Sequence, residues 1–421
     1  MKTLALALIF AGAAAAATEA VLYKFQGNQG VLPAGRLIAD ASGRIYGVTE
    51  LGGTPGCGTV FQLTPPTAGA GWTAATLYEF QGGADGCSPG TDILLATDAS
   101  GNFYGTTRGG GTGTCVGNYT GCGTVFQLAP PALAGGAWTE TVLYKFASGG
   151  DGAFPNGGVV LGPNGVFYGT TSDTGDSGHY GSAFVLHPPV IPGGAWTKTT
   201  LYTFTGGADG NSPFGNLSRD RNGNLYGITL AGGAKGWGAV FEISQAKPGL
   251  WTETVLYSFL GLPDGYNPPS GVVRDKAGNL YGVTSSGGAT NHGTIYELSP
   301  PVQAGGAWTY AVLYSFLGAP DGYYPIGSPS LDPSGNLFGT TSTGGTNTNI
   351  CRFNGCGTVY KLAPPAQAGG AWTETVLYRF LGNSDASDPQ SSLLRTNSGT
   401  LYGTAVGGGG SNSGSFFSVH P

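Results

Sequence analysis

Charge is scarce in this chain: charged residues make up 10% of its 421 residues, and methionine occurs once. The 17 Lys and Arg form no basic run, and against 23 Asp and Glu they leave a formal net charge of −6. That excludes the electrostatic footprint of a nucleic-acid binder. No stretch keeps a helical period. Beyond the N-terminus no apolar run approaches the ~18 residues that a membrane-spanning helix needs. The four histidines are scattered. There is no G-x-S-x-G elbow, no H-E-x-x-H and no Ser-x-Asp-x-Gly-x-x-Trp box. Nothing in the chain marks a cofactor or a metal centre.

What is abundant is glycine, at 80 residues. It follows no G-X-Y period and alternates with clusters of Tyr, Phe, Val and Leu, so it punctuates strands. The N-terminus reads as a secretory signal over residues 1–17: basic Met1-Lys2, an apolar run from Thr3 to Ala11, then an alanine-rich stretch ending near Ala17. A secreted or periplasmic protein with no membrane span is expected, and a monomer. No C-terminal anchoring tail is visible.

The phrase Tyr-Gly-x-Thr recurs at Tyr46, Tyr104, Tyr168, Tyr226 and Tyr281, with Phe338 standing in for the Tyr once and Ala405 for the Thr after Tyr402, at intervals of 55 to 64 residues. Three more phrases travel with it: one like Trp251-Thr-Glu-Thr-Val-Leu-Tyr-Ser-Phe259, one like Gly271-Val-Val-Arg-Asp275, and one like Gly293-Thr-Ile-Tyr-Glu-Leu298. Each reads as a strand of four to eight residues bounded by turn residues. The turn before the tyrosine strand is nearly fixed, as in Asp220-Arg-Asn-Gly223, Asp275-Lys-Ala-Gly278 and Asp332-Pro-Ser-Gly335. Asp accepts local N–H bonds there and Gly takes a positive φ. Asp220-x-Asn222-x-Asn224 lacks the rest of a calcium loop, so turn chemistry is the preferred reading.

Four antiparallel strands in each of seven repeats predict an all-β, seven-bladed propeller forming one domain over residues 18–421. A solenoid would need polar capping repeats, and neither end carries one. The Gly-x-Val-x-Asp strand should lie innermost, followed outward by the tyrosine, Gly-Thr-Val-Phe and Trp-Thr strands. Thr18-Glu-Ala-Val-Leu-Tyr23 matches the outermost strand, so it should pair with 414–419 and complete the seventh blade.

Gly-Asn-Leu-Tyr-Gly (223–227, 278–282), Gly-Cys-Gly-Thr-Val-Phe (56–61, 121–126) and Val-Leu-Tyr-Ser-Phe (255–259, 312–316) resemble the bacterial GloVer tandem-repeat family. Its members are described as "choice-of-anchor" proteins for their varied surface anchors. The resemblance implies a bacterial exported protein and brings no catalytic residues with it.

The six cysteines should form three disulfides. Cys57, Cys122 and Cys356 each stand before Gly-Thr-Val, and two of their loops carry Cys115 and Cys351 as insertions. The expected pairs are Cys57–Cys87, Cys115–Cys122 and Cys351–Cys356.

Repeat-breaking residues gather in the loops between the second and third strands and in those linking blades, which share one face. They are Arg108, Asp173, Asp176, His179, Lys235, Trp237 and His292. Carboxylate plus His could do acid–base work or bind a metal. His187 and His420 occupy equivalent positions and look like repeat residues. The blade-linking loops carry Asp85, Asp151, Asp209, Asp264, Asp321 and Asp385, with Gln29 in the first. This ring could hold a cation at a channel mouth, but turn-making is the preferred reading. Phe154, Phe214, Tyr266, Tyr323 and Tyr324 lie in the same loops and suit sugar stacking or a protein partner, or pack the loops down.

Two functions follow. One is a binding or scaffold module whose partner is carbohydrate or a surface protein. The other is a secreted polysaccharide-acting enzyme with its site on the loop face. Trp237, the one Trp outside the repeat motif, is the first expected contact.

Overall fold

The computed structural model describes residues 17–421 except 68–69, 91, 112, 114, 116–120, 134, 174–179, 304, 346–349, 352–354, 368, 384 and 409–412. The chain forms seven antiparallel sheets arranged as a seven-bladed β-propeller. In each of the first five blades four consecutive strands lie side by side in sequence order. Blade 1 spans residues 38–79, blade 2 96–145, blade 3 160–203, blade 4 211–258 and blade 5 273–315. Blades 6 (322–379) and 7 carry the innermost strand as two short pieces. The expected order from axis to rim holds throughout, although most innermost strands are two residues long.

Blade 7 is completed by the N-terminal strand. Thr18–Lys24 pairs antiparallel with Ser415–His420, Thr18 opposite His420 and Lys24 opposite Ser415. Ala17, at the position of the repeat Trp, packs against the core of this blade.

The repeated phrase Tyr-Gly-x-Thr has a physical reason at each letter. The Tyr hydroxyl donates to the Asp that opens the preceding turn, as Tyr46 to Asp40 at 3.0 Å and Tyr104 to Asp98 at 2.8 Å. The Gly lies under an aromatic ring of the third strand. A Cβ on Gly47 would sit 2.6 Å from Phe61 Cζ, and one on Gly105 2.7 Å from Phe126 Cζ. The Thr pairs its hydroxyl with that of the facing strand, as in Thr49–Thr59 and Thr341–Thr358 at 2.9 and 2.8 Å. These are buried groups, so the pairing satisfies polar atoms that would otherwise be stranded.

There is no single central core. Seven apolar clusters occur, one at each joint between neighbouring blades. The repeat Trp of one blade reaches the repeat Tyr of the preceding one: Trp251 to Tyr168 at 6.1 Å, Trp308 to Tyr226 at 6.1 Å, and Trp72 across the closure to Tyr402 at 5.7 Å. Blades with two apolar faces are thus buried on both sides.

All three expected disulfides are present, with Cα–Cα distances of 4.5 Å for Cys57–Cys87, 5.4 Å for Cys115–Cys122 and 5.1 Å for Cys351–Cys356. Among the described residues no helix is long and apolar enough to cross a membrane. Both facts are consistent with an extracytoplasmic protein.

Candidate binding face

The Asp residues of the blade-linking loops are committed to structure. In six repeats the Tyr near the end of the outermost strand donates its hydroxyl to the Asp seven residues later. The pairs are Tyr78–Asp85, Tyr144–Asp151, Tyr202–Asp209, Tyr257–Asp264, Tyr314–Asp321 and Tyr378–Asp385, at 2.5 to 3.1 Å. Each Asp also accepts the backbone N–H four residues before it, at 2.5 to 2.9 Å. In the first repeat Tyr23 donates to Gln29 instead. The ring of carboxylates is therefore a ring of loop latches at the outermost strands. Among the described residues no group of three or more His, Cys, Asp or Glu is placed to hold a metal.

A second repeated position explains Trp237 and His292. The residue before the third strand's leading Gly is Cys57, Cys122, Tyr180, Trp237, His292 and Cys356 in blades 1 to 6. Its carbonyl accepts a hydrogen bond from the next blade's linking loop, as from Asn267 to Trp237 and from Tyr324 to His292, both at 3.2 Å. Its side chain covers a loop glycine. A Cβ on Gly82 would meet Cys57 Sγ at 3.2 Å, one on Gly261 would meet Trp237 Nε1 at 3.3 Å, and one on Gly318 would meet the His292 ring at 2.8 Å. Blades 1, 2 and 6 place a disulfide sulfur there, and blades 3 to 5 place a ring.

These rings form a strip across blades 4 to 6. Trp237 lies 4.8 Å from Tyr266, and the Tyr266 hydroxyl donates to Asn291 Oδ1 at 2.9 Å. His292 meets Tyr323 edge-on at 4.5 Å, with its Nδ1 3.0 Å from Thr290 Oγ1, and Tyr323 lies 4.0 Å from Tyr324. The Tyr323 hydroxyl is pushed up to about 12, first by its hydrogen bond with Tyr324, then by burial and by the neighbouring Tyr324 and Tyr266. Trp237 remains 42% exposed. The five rings are those singled out in the sequence.

The other expected residues sit elsewhere. Arg108 serves the joint between blades 1 and 2, where its charge partly offsets the rise that burial imposes on Glu50. Asp173 is tied by its backbone to Ala153, at 2.7 and 3.2 Å. Asp176 and His179 lie outside the described residues. Of the two readings left open for Phe154 and Phe214, the structure shows the second: both pack inward. Phe154 is 8% exposed within the core between blades 2 and 3, and Phe214 packs against that between blades 4 and 5.

Leu32, Ser88, Phe154, Ser212, Asn267, Tyr324 and Asp388 occupy one repeated position before a Pro, all with φ between 54° and 58°. Such a φ is costly for a side chain bearing a Cβ, and it persists seven times because flanking hydrogen bonds over-determine it.

Near the axis, side chains bridge one blade to another. Arg36 Nε lies 3.5 Å from Asp92 Oδ1 and donates to Ser392 Oγ at 3.1 Å. Asn216 accepts N–H bonds from Leu94 and Gly158 at 3.2 and 2.9 Å and donates to the Asp92 carbonyl. Residues of blades 1, 2, 3, 4 and 7 are thereby joined. Burial raises the Asp92 carboxyl, with Arg36 opposing it. On the opposite face an open groove of about 930 Å³ is lined by Arg219, Arg221, Arg274 and Lys276 with Asp220, Asp275 and Asp332. Arg219 and Arg274 already lie over Tyr168 and Tyr226, each at 5.9 Å, and the carboxylates cap their own turns.

Fold and site together define a tandem-repeat β-propeller with an aromatic strip on its loop face. The chain belongs to the Gloeobacter/Verrucomicrobia repeat family, whose model matches residues 7–184 and 217–421. None of the curated proteins compared matches it. Among solved structures it is similar to a putative oxidoreductase (glucose dehydrogenase) of Thermus thermophilus, at 15% identity and a TM-score of 0.42, covering 82% of this chain and 98% of that one. It is similar to PorZ, a surface component of the type-IX secretion system of Porphyromonas gingivalis, at 12% identity and a TM-score of 0.46, covering 87% and 48%. A Trypanosoma rangeli sialidase mutant with trans-sialidase activity gives 11% identity and a TM-score of 0.43, covering 97% and 58%. The chain thus spans about half the length of the last two. At these identities the likeness concerns the fold alone.

Proposed function

We propose that this protein is a secreted or periplasmic binding module that holds a carbohydrate chain across the aromatic strip of blades 4 to 6. The observation that carries this reading is the run of rings from Trp237 and Tyr266 to Tyr323, Tyr324 and His292. Aromatic faces stack on the apolar faces of sugars, and a polar tip beside each ring fixes orientation. Tyr266 with Asn291, and His292 with Thr290, supply such tips. A rigid scaffold that presents loop residues costs little ordering on binding.

The test is a glycan panel probed with and without calcium, followed by titration of any hit against tryptophan fluorescence. Trp237→Ala and Tyr323→Ala should each weaken binding by about tenfold or more, the loss expected for an aromatic anchor. Arg221→Ala and Lys276→Ala on the opposite face should leave it unchanged. The reverse pattern, or release of a cleaved glycan, refutes a binding module on this face.

A further inference from the structure

At every joint between blades, the loop latch of one blade faces the third residue of the next blade's Trp-Thr-x phrase. Read around the ring, the facing pairs are Gln29 with Ala74, Asp85 with Glu140, Asp151 with Lys198, Asp209 with Glu253, Asp264 with Tyr310, Asp321 with Glu374, and Asp385 with Glu19. Two joints are conventional. Lys198 Nζ lies 3.3 Å from Asp151 Oδ1, and Tyr310 stacks on Tyr257 at 3.9 Å while donating to the Asp264 carbonyl. Four joints oppose one carboxyl to another.

Two ionised carboxylates have only acceptors to offer each other. Glu140 lies against Asp85, where only a proton on one of them could bond the two. In all four joints the Glu Oε1 is buried, and among the described residues it has no hydrogen-bond partner. A bare anionic oxygen in that position would be costly, whereas a neutral acid is tolerated. The Asp of each pair accepts from both the latch Tyr and a backbone N–H, bonds that the Glu Oε1 lacks.

We propose that the ring is fastened by protons: at four of seven blade joints a buried Glu beside the neighbouring latch Asp keeps its proton, so the propeller closes most tightly in mildly acidic surroundings and loosens as the medium turns alkaline.

The groups around each pair are few. Glu140 faces Asp85 and Tyr78, with Lys145 on its own strand, and Glu253 faces Asp209 and Tyr202. Glu374 faces Asp321 and Tyr314, with Arg379 on its own strand, and Glu19 faces Asp385 and Tyr378. Burial first, then the facing Asp, lifts Glu19, Glu253 and Glu374 from 4.5 to about 7 and Glu140 to about 8. Between the unfolded value and these folded values the folded chain binds more protons than the unfolded one. Stability therefore falls as pH rises from 4.5 and reaches its floor above about 8.

The experiment is thermal unfolding of the full chain between about pH 5 and pH 8.5. The wild type should lose about 5 °C across that window. The fourfold variant Glu19→Gln, Glu140→Gln, Glu253→Gln, Glu374→Gln should stay within about 1 °C, since an amide donates the missing hydrogen at any pH. Lys198→Glu, which adds a fifth pair, should steepen the fall. A flat wild-type profile, or a slope that survives in the fourfold variant, overturns the proposal. If the fourfold variant does not fold, carboxyl-carbon NMR of the wild type decides. Single Glu→Gln variants assign the four signals, and titration near neutrality supports the proposal. Midpoints below about pH 5.5 overturn it.

Discussion

Tyr314 donates its hydroxyl to Asp321 Oδ2 at 2.9 Å, and the same oxygen accepts the Leu317 backbone N–H at 2.9 Å. One carboxylate thus fixes both the end of an outermost strand and the start of the crossing to the next blade. Tyr314→Phe should cost about 1 kcal/mol, because it removes one bond to a charged acceptor that is partly solvated. Asp321→Ala should cost about 2 kcal/mol, because two donors then lose their partner. Urea unfolding of both variants measures the difference, and a Tyr314→Phe cost near zero would show that the Tyr bond is idle.

The three disulfides should differ in worth. Cys57–Cys87 closes a separation of 30 residues, against 5 for Cys351–Cys356. Loop-closure entropy then gives about 3.5 and about 2 kcal/mol respectively. Paired Cys→Ser variants, unfolded in denaturant, should rank in that order.

Removing residues 18–25 should do more harm than losing any disulfide. It exposes the edge of Ser415–His420 and withdraws Phe25 from the core between blades 7 and 1. Calorimetry should show a broad transition at lower temperature and a tendency to associate through the open edge. A sharp transition at the wild-type temperature would mean the ring does not depend on its first strand.

Gly47→Ala should destabilise by about 2–3 kcal/mol, since the new methyl meets Phe61 Cζ at 2.6 Å in a packed joint. Gly56→Ala, where a Cβ meets nothing within 4 Å but φ is 81°, should cost about 1 kcal/mol from backbone strain alone. Chemical denaturation of the two variants separates steric from conformational cost.

Below the window of the blade joints a second pH effect runs the other way. Burial tends to raise Asp40, Asp98 and Asp332, but hydrogen bonds from their own turns outweigh it and hold them below 3.8. Asp209 is lowered in the same manner by Thr205 and Tyr202. A depressed acid contributes stability above its unfolded value and loses it as pH falls through its folded value. Melting temperature should therefore drop below about pH 4, and Asp332→Asn should flatten that drop.

Much of this was legible in the sequence. Four phrases in fixed order determine four strands per blade, and the stray Thr-Glu-Ala-Val-Leu-Tyr at residues 18–23 announces the closure. The cysteine pairs followed from repeat position and loop insertion. The latch was also in view, because Tyr and Asp stand seven apart in six repeats, yet spacing alone assigned the Asp to its turn. Trp237 and His292 looked like repeat-breakers, whereas they fill the position that three other blades give to a half-cystine. For Phe154 the sequence left surface stacking and inward packing both open, and the structure shows inward packing, although Tyr324 at the same repeated position, with the same φ, joins the strip. The facing pairs at the joints were hidden for another reason: each unites residues of two blades that meet only when the blades pack.

The pairing of Thr18 with His420 also bears on what counts as the beginning of this molecule. Its two ends are neighbours in one sheet, so a short linker could tie them and new ends could be cut at a Pro-Pro connection such as Pro300-Pro301. The closing strand would then be covalently continuous, and blade 5 would become the split one. Architecturally the propeller is a circle, and the break beside Thr18 is only one of seven equivalent places to open it.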